Sequence, residues 1–435
     1  MIIIPLHSWA GANNEDVHFT DSLKREKTVK ANYPFPMHSI YVTNVYKPDI
    51  CTQQQIDDST RAFYTIWKSL HIRHNCPDPS QYYVLNDENR SDGRNRGNIC
   101  VSEGQGYGMI ITVIMAGYDP EAKTIFDGLY RFCKAHPSSV DPNLMTWNIV
   151  TGCKSKISGD NNYSATDGDL DIAFSLLLAD KQWGSNGSIN YRREAVSMIH
   201  SIVQHEINPQ TYSVMISDAL QTDDPQYFDT RASDFMPAHF REFFNATHDS
   251  VWLKVIDAGY SIFMDIQAKH STASGLIPDF LQYVNHKYIP AKPKYMESDY
   301  DGHYYYNACR VPMRLSADYM LFGDKRAFEI LGKMNHWIEK KTGQKPHKLY
   351  SGFKLSGSNI NGNDYSTPAF IAPFVVSAMV GAENRDWLNK LYPFLLQLGY
   401  KDFRYYNNTL KMLCLLMISG NYWTPSFPES SLLNY

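Results

Sequence analysis

The sequence predicts an all-α protein whose helices close into a ring of pairs around a shared core. Apolar residues recur at three- and four-residue spacing in roughly twelve stretches. Long polar loops rich in Gly, Asn, Asp and Pro separate these stretches. No repeat or low-complexity linker divides the 435 residues. With 43% hydrophobic residues the chain can bury a large core, which excludes disorder as its main state. The charges, 41 basic against 45 acidic, leave a net −4, so the basic surface that nucleic-acid phosphates require is missing. No apolar run is long enough to span a membrane.

Residues 1–55 carry Pro5, Pro34, Pro36 and Pro48 and read as an irregular extension packed on the helical body. From Ile56 the pattern turns helical, with Ala62, Phe63, Ile66, Trp67 and Leu70 on one face. Further helices are expected over 104–117, 121–135, 169–181, 190–205, 234–246 and 250–269. The series resumes over 308–322, 325–341, 367–381, 385–397 and 408–419. Residues 56–435 thus read as one domain, in which an inner ring of helices buries its apolar faces against an outer ring. The loops over 76–98, 154–166, 221–231 and 282–305 are long for a compact domain and are expected to form a cleft at one end.

The seven cysteines, Cys51, Cys76, Cys100, Cys133, Cys153, Cys309 and Cys414, are widely spaced and include no CxxC pair. That excludes a zinc ribbon and leaves room for one or two disulfides of unassigned pairing. The first residues lack the basic and apolar regions of a signal peptide. Asn-x-Ser/Thr triplets at Asn89, Asn162, Asn186, Asn245 and Asn407 say little about glycosylation, since such triplets arise by chance.

Three segments could carry chemistry. In Ser102-Glu103-Gly104-Gln105-Gly106-Tyr107-Gly108 a glutamate precedes three glycines at a helix start. Either Ser102 caps the helix with Glu103 in its first turn, or a carboxyl stands over a cleft floored by glycines. In Thr166-Asp167-Gly168-Asp169-Leu170-Asp171 three acids alternate at another helix start. Thr166 or Asp167 could cap it, but a cap needs one acid, and the calcium-loop pattern is incomplete. The third segment, Tyr295 to Arg310, mixes acids with tyrosines, as in Glu297, Asp299 and Asp301. The chain has 30 Tyr, 21 Phe and 8 Trp, rings that suit a groove both apolar and hydrogen-bonding. Carboxylates on separate loops, with aromatics and without a phosphate loop, HExxH or nucleophile elbow, fit glycosidic-bond hydrolysis.

The motifs SEGQGYGM, LMTW, SATDGDLDIAFSLLLADKQWG and YYYNACRVPMR, in this order, resemble glycoside hydrolase family 8. The likeness covers about 86–423 and implies an (α/α)6 barrel. It also implies inverting, endo-acting, cofactor-free cleavage of a β-1,4-linked polysaccharide by a secreted monomer. By this resemblance Glu103 matches the general acid, and Asp167 the carboxylate that binds and distorts the sugar. Trp147 matches an aromatic platform, and Arg310 a cleft arginine. Where many members carry a catalytic Asp, this chain has Asn307, and an amide cannot accept a proton at neutral pH. One branch, with chitosanases and lichenases, has Asn there and takes its base from an inserted loop ten residues upstream, which here is Glu297. Asp299 and Asp301 are the fallback bases. The branch's Ser-Asp-Trp segment is Ser233-Asp234-Phe235 here, so Asp234 and Phe235 are expected to contact sugar, as are Tyr107, Asn307 and Tyr406. Chitosan is the favoured substrate, drawn by the acids Asp167, Glu297, Asp299 and Asp301. β-Glucan and xylan are the enzymatic alternatives. A non-catalytic sugar-binding protein is the alternative of another class. No metal, nucleic-acid or membrane partner is expected.

Overall fold

A computed structural model describes residues 30–86, 97–155, 162–400 and 404–426. Asn89 and residues 1–29 of the predicted extension lie outside them. All twelve expected helices form: α1 (Gln53–His71), α2 (Ser102–Ile114), α3 (Ala122–Ala135), α4 (Thr166–Trp183), α5 (Tyr191–His205), α6 (Pro237–Thr247), α7 (Val251–Lys269), α8 (Val311–Phe322), α9 (Lys325–Thr342), α10 (Pro368–Ser377), α11 (Arg385–Gln397) and α12 (Tyr405–Ile418). The even-numbered helices pack in sequence, α2 on α4, α4 on α6 and onward to α12, which returns to α2. Each odd-numbered helix backs an even one. The fold is an (α/α)6 barrel.

Burial follows this layering. All ten residues of α10 are buried, whereas α9 buries seven of its eighteen. An inner helix apolar on every side has no solvent face to offer, and an outer helix keeps a polar one. Proline at the first turn of α6, α8 and α10 presets the backbone at the end where the cleft forms. At the opposite end, residues 35–46 run across the barrel floor. The backbone N–H groups of Phe35, Ser39, Val42 and Tyr46 bond the carbonyls of Ala116, Gly420, Met320 and Met379. Those acceptors stand at or just beyond the C-termini of α2, α12, α8 and α10, where helices leave carbonyls unpaired.

Among the described residues three small antiparallel sheets dress the barrel. β1 (Ile72–Arg73) pairs with β2 (Tyr83–Val84). β3 (Asn98–Val101) pairs with β4 (Asn148–Val150), which pairs with β5 (Lys154–Ser155). β6 (Thr230–Arg231) pairs with β7 (Phe280–Val284), which turns into β8 (Lys287–Pro290). Cys76 and Cys153 form a disulfide that ties the β1–β2 loop to the turn between β4 and β5. No helix of the described residues is long and apolar enough to cross a membrane.

Glycine sets how closely the inner ring closes. A Cβ on Gly106 of α2 would stand 2.7 Å from the Asp171 Cβ and 3.1 Å from the Gly168 carbonyl of α4. A Cβ on Gly168 would stand 2.6 Å from the Ser102 carbonyl carbon. The starts of α2 and α4 therefore touch backbone to backbone, which only residues without a Cβ allow. The glycines after Glu103 face neighbouring helices and the Tyr405 ring, so the reading in which they floor a cleft is overturned. Nor does Ser102 cap α2, or Thr166 or Asp167 cap α4. Val101 and Ala165 hold those positions, and neither helix start has a side-chain cap.

Candidate active site

The N-terminal ends of the inner helices converge on a cleft of about 310 Å³. α2 brings Glu103 and α4 brings Asp167. The turn before α8 brings Asn307 and Arg310, and α12 opens with Tyr405 and Tyr406. The strand pair β3–β4 adds Asn98 and, just before β4, Trp147. β6 adds Arg231, and the loop after β8 adds Glu297.

Arg310 is the hub. Its side chain is 1% exposed, and a buried guanidinium requires acceptors all round. Nη1 donates to Glu103 Oε2 at 2.5 Å, to Asp167 Oδ2 at 2.8 Å and to the Tyr107 hydroxyl at 3.2 Å. Nη2 donates to Ser233 Oγ at 2.7 Å and to Asn307 Oδ1 at 2.9 Å. With its oxygen so engaged, Asn307 turns Nδ2 outward and donates to Glu297 Oε2 at 2.9 Å. One relay of two side chains thus joins Glu103 to Glu297, and the two carboxyls face the same cleft.

The carboxyls differ in environment. Glu103, 16% exposed, also accepts from the Tyr405 hydroxyl at 2.8 Å. Burial pushes its carboxyl above the usual range; Arg310 opposes this and neighbouring Asp167 adds to it. Burial acts on Asp167 in the same sense, yet Arg231 at 3.0 Å and Arg310 outweigh it and hold that carboxyl below its ordinary value. Glu297 is exposed at the cleft edge.

Buried aspartates fasten the loop that carries Glu297. Asp301 accepts from the backbone N–H groups of Met296, Glu297 and Ser298 at 2.7, 3.0 and 2.9 Å. Asp279 accepts from those of Tyr305, Asn307 and Ala308. Asp301 is therefore spent on the backbone. Asp299 points to solvent beside Lys294 at 3.6 Å. Neither fallback base lines the cleft.

The three alternating acids of α4 have separate fates, which explains how they coexist. Asp167 meets two arginines. Asp171 is bound by Arg314 at 2.9 and 2.6 Å and by His239 at 2.9 Å. Asp169 points away from the cleft and accepts from the Met145 N–H at 2.9 Å.

Among the other residues expected to contact sugar, Trp147, Asn307, Arg310 and Tyr406 line the cleft, and Trp147 is 40% exposed. Asp234, Phe235 and Tyr107 do not. Asp234 is fully buried and takes Arg231 Nε on both oxygens, at 2.9 and 3.0 Å. It aims the arginine, and the arginine reaches the cleft. Phe235 packs against Gly259, Tyr260 and Phe263 of α7, a core position closed to sugar. Tyr107 is buried beneath Arg310 and offers it a hydroxyl.

Sequence reasoning missed Asn86, Asn98, Arg231, Tyr306 and Tyr405 on the cleft wall. Tyr405 adjoins the expected Tyr406, and Arg231 closes a loop already marked as long. Nothing local in the sequence pointed to Asp279.

The model of the glycosyl hydrolases family 8 matches residues 33–420. The chain belongs to glycosyl hydrolase family 8. Within family 8 it is 41% identical over 393 residues to a beta-glucanase from Niallia circulans, covering 90% of this chain and 92% of that protein. It is 38% identical over 416 residues to an endoglucanase from Bacillus sp. (strain KSM-330), covering 95% and 86%. A beta-1,3-1,4-glucanase from Paenibacillus sp. X4, solved in its apo form, is 40% identical with a TM-score of 0.85 over 90% of this chain and 99% of that one. As a family 8 protein the chain is a glycoside hydrolase, and the non-catalytic alternative falls away.

Proposed function

We propose that this protein is an inverting endo-β-glucanase that hydrolyses β-1,4 bonds in a neutral glucan, mixed-linkage β-1,3-1,4-glucan included. The observation that carries the reading is the unlike pair of carboxyls in one cleft. Glu103 is desolvated and leans toward its protonated form. Glu297 is solvent-exposed and receives an amide N–H from Asn307. A protonated acid and an ionised base are what single displacement needs.

In this reading Glu103 protonates the leaving glycosidic oxygen. Glu297 takes a proton from a water that attacks the anomeric carbon from the opposite face. The configuration inverts, and Asp167, fixed by Arg231 and Arg310, grips the sugar at the cleavage point. Asn307 is unable to act as base and holds the residue that does. Trp147, on the rim, offers a face on which a pyranose ring can stack.

The favoured chitosan substrate gives way to the β-glucan alternative on electrostatic grounds. The attraction of a polycation rested on four acids. Asp301 is buried on backbone N–H groups, Asp299 faces Lys294, and Asp167 is matched by two arginines. With Glu103 protonated, the cleft-lining anions Asp167 and Glu297 face the cleft-lining cations Arg231 and Arg310, and Asp234 behind Arg231 is pushed up to about 7 by burial, so the cleft wall carries little negative charge to draw a polycation. The similarity to glucanases supports the same choice.

The test is product release from mixed-linkage β-glucan, carboxymethylcellulose, chitosan and xylan under one condition, with the anomer of the first product read by NMR. Hydrolysis of the glucans to the inverted α-anomer is expected. Preferential release from chitosan, or retention of configuration, would overturn the reading.

A further inference from the structure

The first turn of α4 carries a second carboxyl, Asp169, that the proposed mechanism does not use. It is 0% exposed, and so is Glu206, which follows α5. One oxygen of each has a conventional donor. Asp169 Oδ1 accepts from Met145 N–H at 2.9 Å, and Glu206 Oε1 accepts from the Ser164 hydroxyl at 2.6 Å. Among the described residues the other oxygens, Asp169 Oδ2 and Glu206 Oε2, are buried and meet no backbone N–H, with the Thr166 hydroxyl also in hydrogen-bonding reach of Glu206. The two carboxyls nevertheless stand within hydrogen-bonding reach of each other.

Carboxylates carry only acceptors, so two of them meet through a hydrogen bond only when one is protonated. The groups facing the pair supply no compensating cation. Asp218 approaches from the segment before α6, with its own oxygens taken by the Ser164 N–H at 2.8 Å and the Ser138 hydroxyl. The Cys133 thiol comes from α3 and the Thr166 hydroxyl from α4. His205, next in sequence, turns to Asp141 at 3.4 Å. Among the described residues no Lys or Arg is paired with either carboxyl, and no three His, Cys, Asp or Glu are placed to hold a metal ion.

We propose that Asp169 and Glu206 share a single buried proton, and that this pair is a positioning device for the cleft. Asp169 holds Met145, two residues before the rim tryptophan Trp147. Glu206 holds Ser164, three residues before Asp167. Thr146 bridges Ser164 between the two segments, and the Trp147 N–H bonds the Tyr163 carbonyl at 2.9 Å. Losing the proton turns the Asp169–Glu206 bond into repulsion between two buried anions. The segments that set Trp147 and Asp167 are then driven apart. Burial supports a proton held into the neutral range, since Glu206 is pushed up to about 8 and Asp169 well above its ordinary value.

The amides Asp169→Asn and Glu206→Gln test this. Each keeps the shape and replaces the shared proton with a fixed N–H donor. Differential scanning calorimetry from pH 5 to 9.5 is expected to show each single variant gaining Tm relative to wild type as pH rises. The pair's raised affinity for protons makes the wild type lose stability through that window. KM for the hydrolysed glucan is expected to rise about tenfold in wild type above pH 8 and to stay flat in the single amides. The alkaline fall of kcat, which belongs to Glu103, is shared by all three. The double amide Asp169→Asn/Glu206→Gln sets N–H against N–H and is expected to be less stable than either single variant. Infrared difference spectra of wild type against each single amide are expected to show a protonated-carboxyl stretch lost at pH 7. Parallel pH profiles of Tm and KM in all forms, an unchanged carboxyl stretch, or a double variant as stable as the singles would overturn the proposal. So would unfolding of both single variants at pH 7, or a KM rise reversed by added divalent cation. The calorimetric and infrared arms need no substrate, so they stand apart from the glucan reading.

Discussion

Gly168→Ala puts the close contact of α2 and α4 to the test. The new Cβ would sit 2.6 Å from the Ser102 carbonyl carbon, a backbone atom that cannot rotate away. Ordinary contact requires the helix starts to part by about 1 Å, and Ser102 and Gly168 adjoin Glu103 and Asp167. Overpacking of this kind costs about 1–3 kcal/mol, offset by up to about 1 kcal/mol from replacing a helical glycine. The net loss of stability is therefore small for a chain of this size. Catalytic geometry is less forgiving, because a displacement of about 1 Å can cost about 10²-fold. Arg310 Nη1 reaches Glu103 at 2.5 Å and Asp167 at 2.8 Å and cannot hold both once they separate. Calorimetry paired with kcat/KM on mixed-linkage glucan is expected to show a Tm shift of a few degrees at most and a far larger loss of activity. Wild-type kcat/KM in a folded Gly168→Ala protein would refute the argument.

Glu103→Gln and Glu297→Gln are each expected to lower kcat by about 10²–10⁴-fold while oligosaccharide binding, read by calorimetry, persists. Asn307→Ala removes the N–H that holds Glu297 and one acceptor of Arg310; a loss of about 10–100-fold in kcat/KM is expected, smaller than for Glu297→Gln. Tyr405→Phe deletes a hydrogen bond that lowers the Glu103 pKa, so that pKa rises. The acid then keeps its proton to higher pH, and the alkaline limb of the kcat profile is expected to move upward. Arg231→Ala leaves Asp167 and Asp234 buried with one cation fewer, and denaturant unfolding is expected to show a loss of about 3–5 kcal/mol.

The helices were legible because the outer ones alternate a buried stripe with a polar face, and inner ones such as α10 carry long apolar runs buried on every side. Helix starts were less so. The expected starts at 104 and 169 fall two and three residues inside α2 and α4, because glycines and acids that read as loop are helical here. Tertiary packing supplies what propensity withholds at Gly104, Gly106 and Gly168. Positions on the cleft were legible where a motif placed an acid at a helix start, as at Glu103 and Asp167. They were misread where a side chain's direction decides, as at Phe235, which turns into the core, and Asp234, which works through Arg231. The expectation of chitosan lost its electrostatic support for a related reason. A count of acids along the chain does not reveal which ones, like Asp301, are consumed by backbone N–H groups.

The ring closes only when α12 docks beside α2, and α12 delivers Tyr405 to Glu103 across 302 positions of sequence. During synthesis on the ribosome the cleft therefore stays unfinished until α12 has emerged. A truncated product ending before α12 would retain both glutamates and Arg310 yet lack one wall of the cleft. Premature termination should thus release an inert protein, which spares the cell a partly active one.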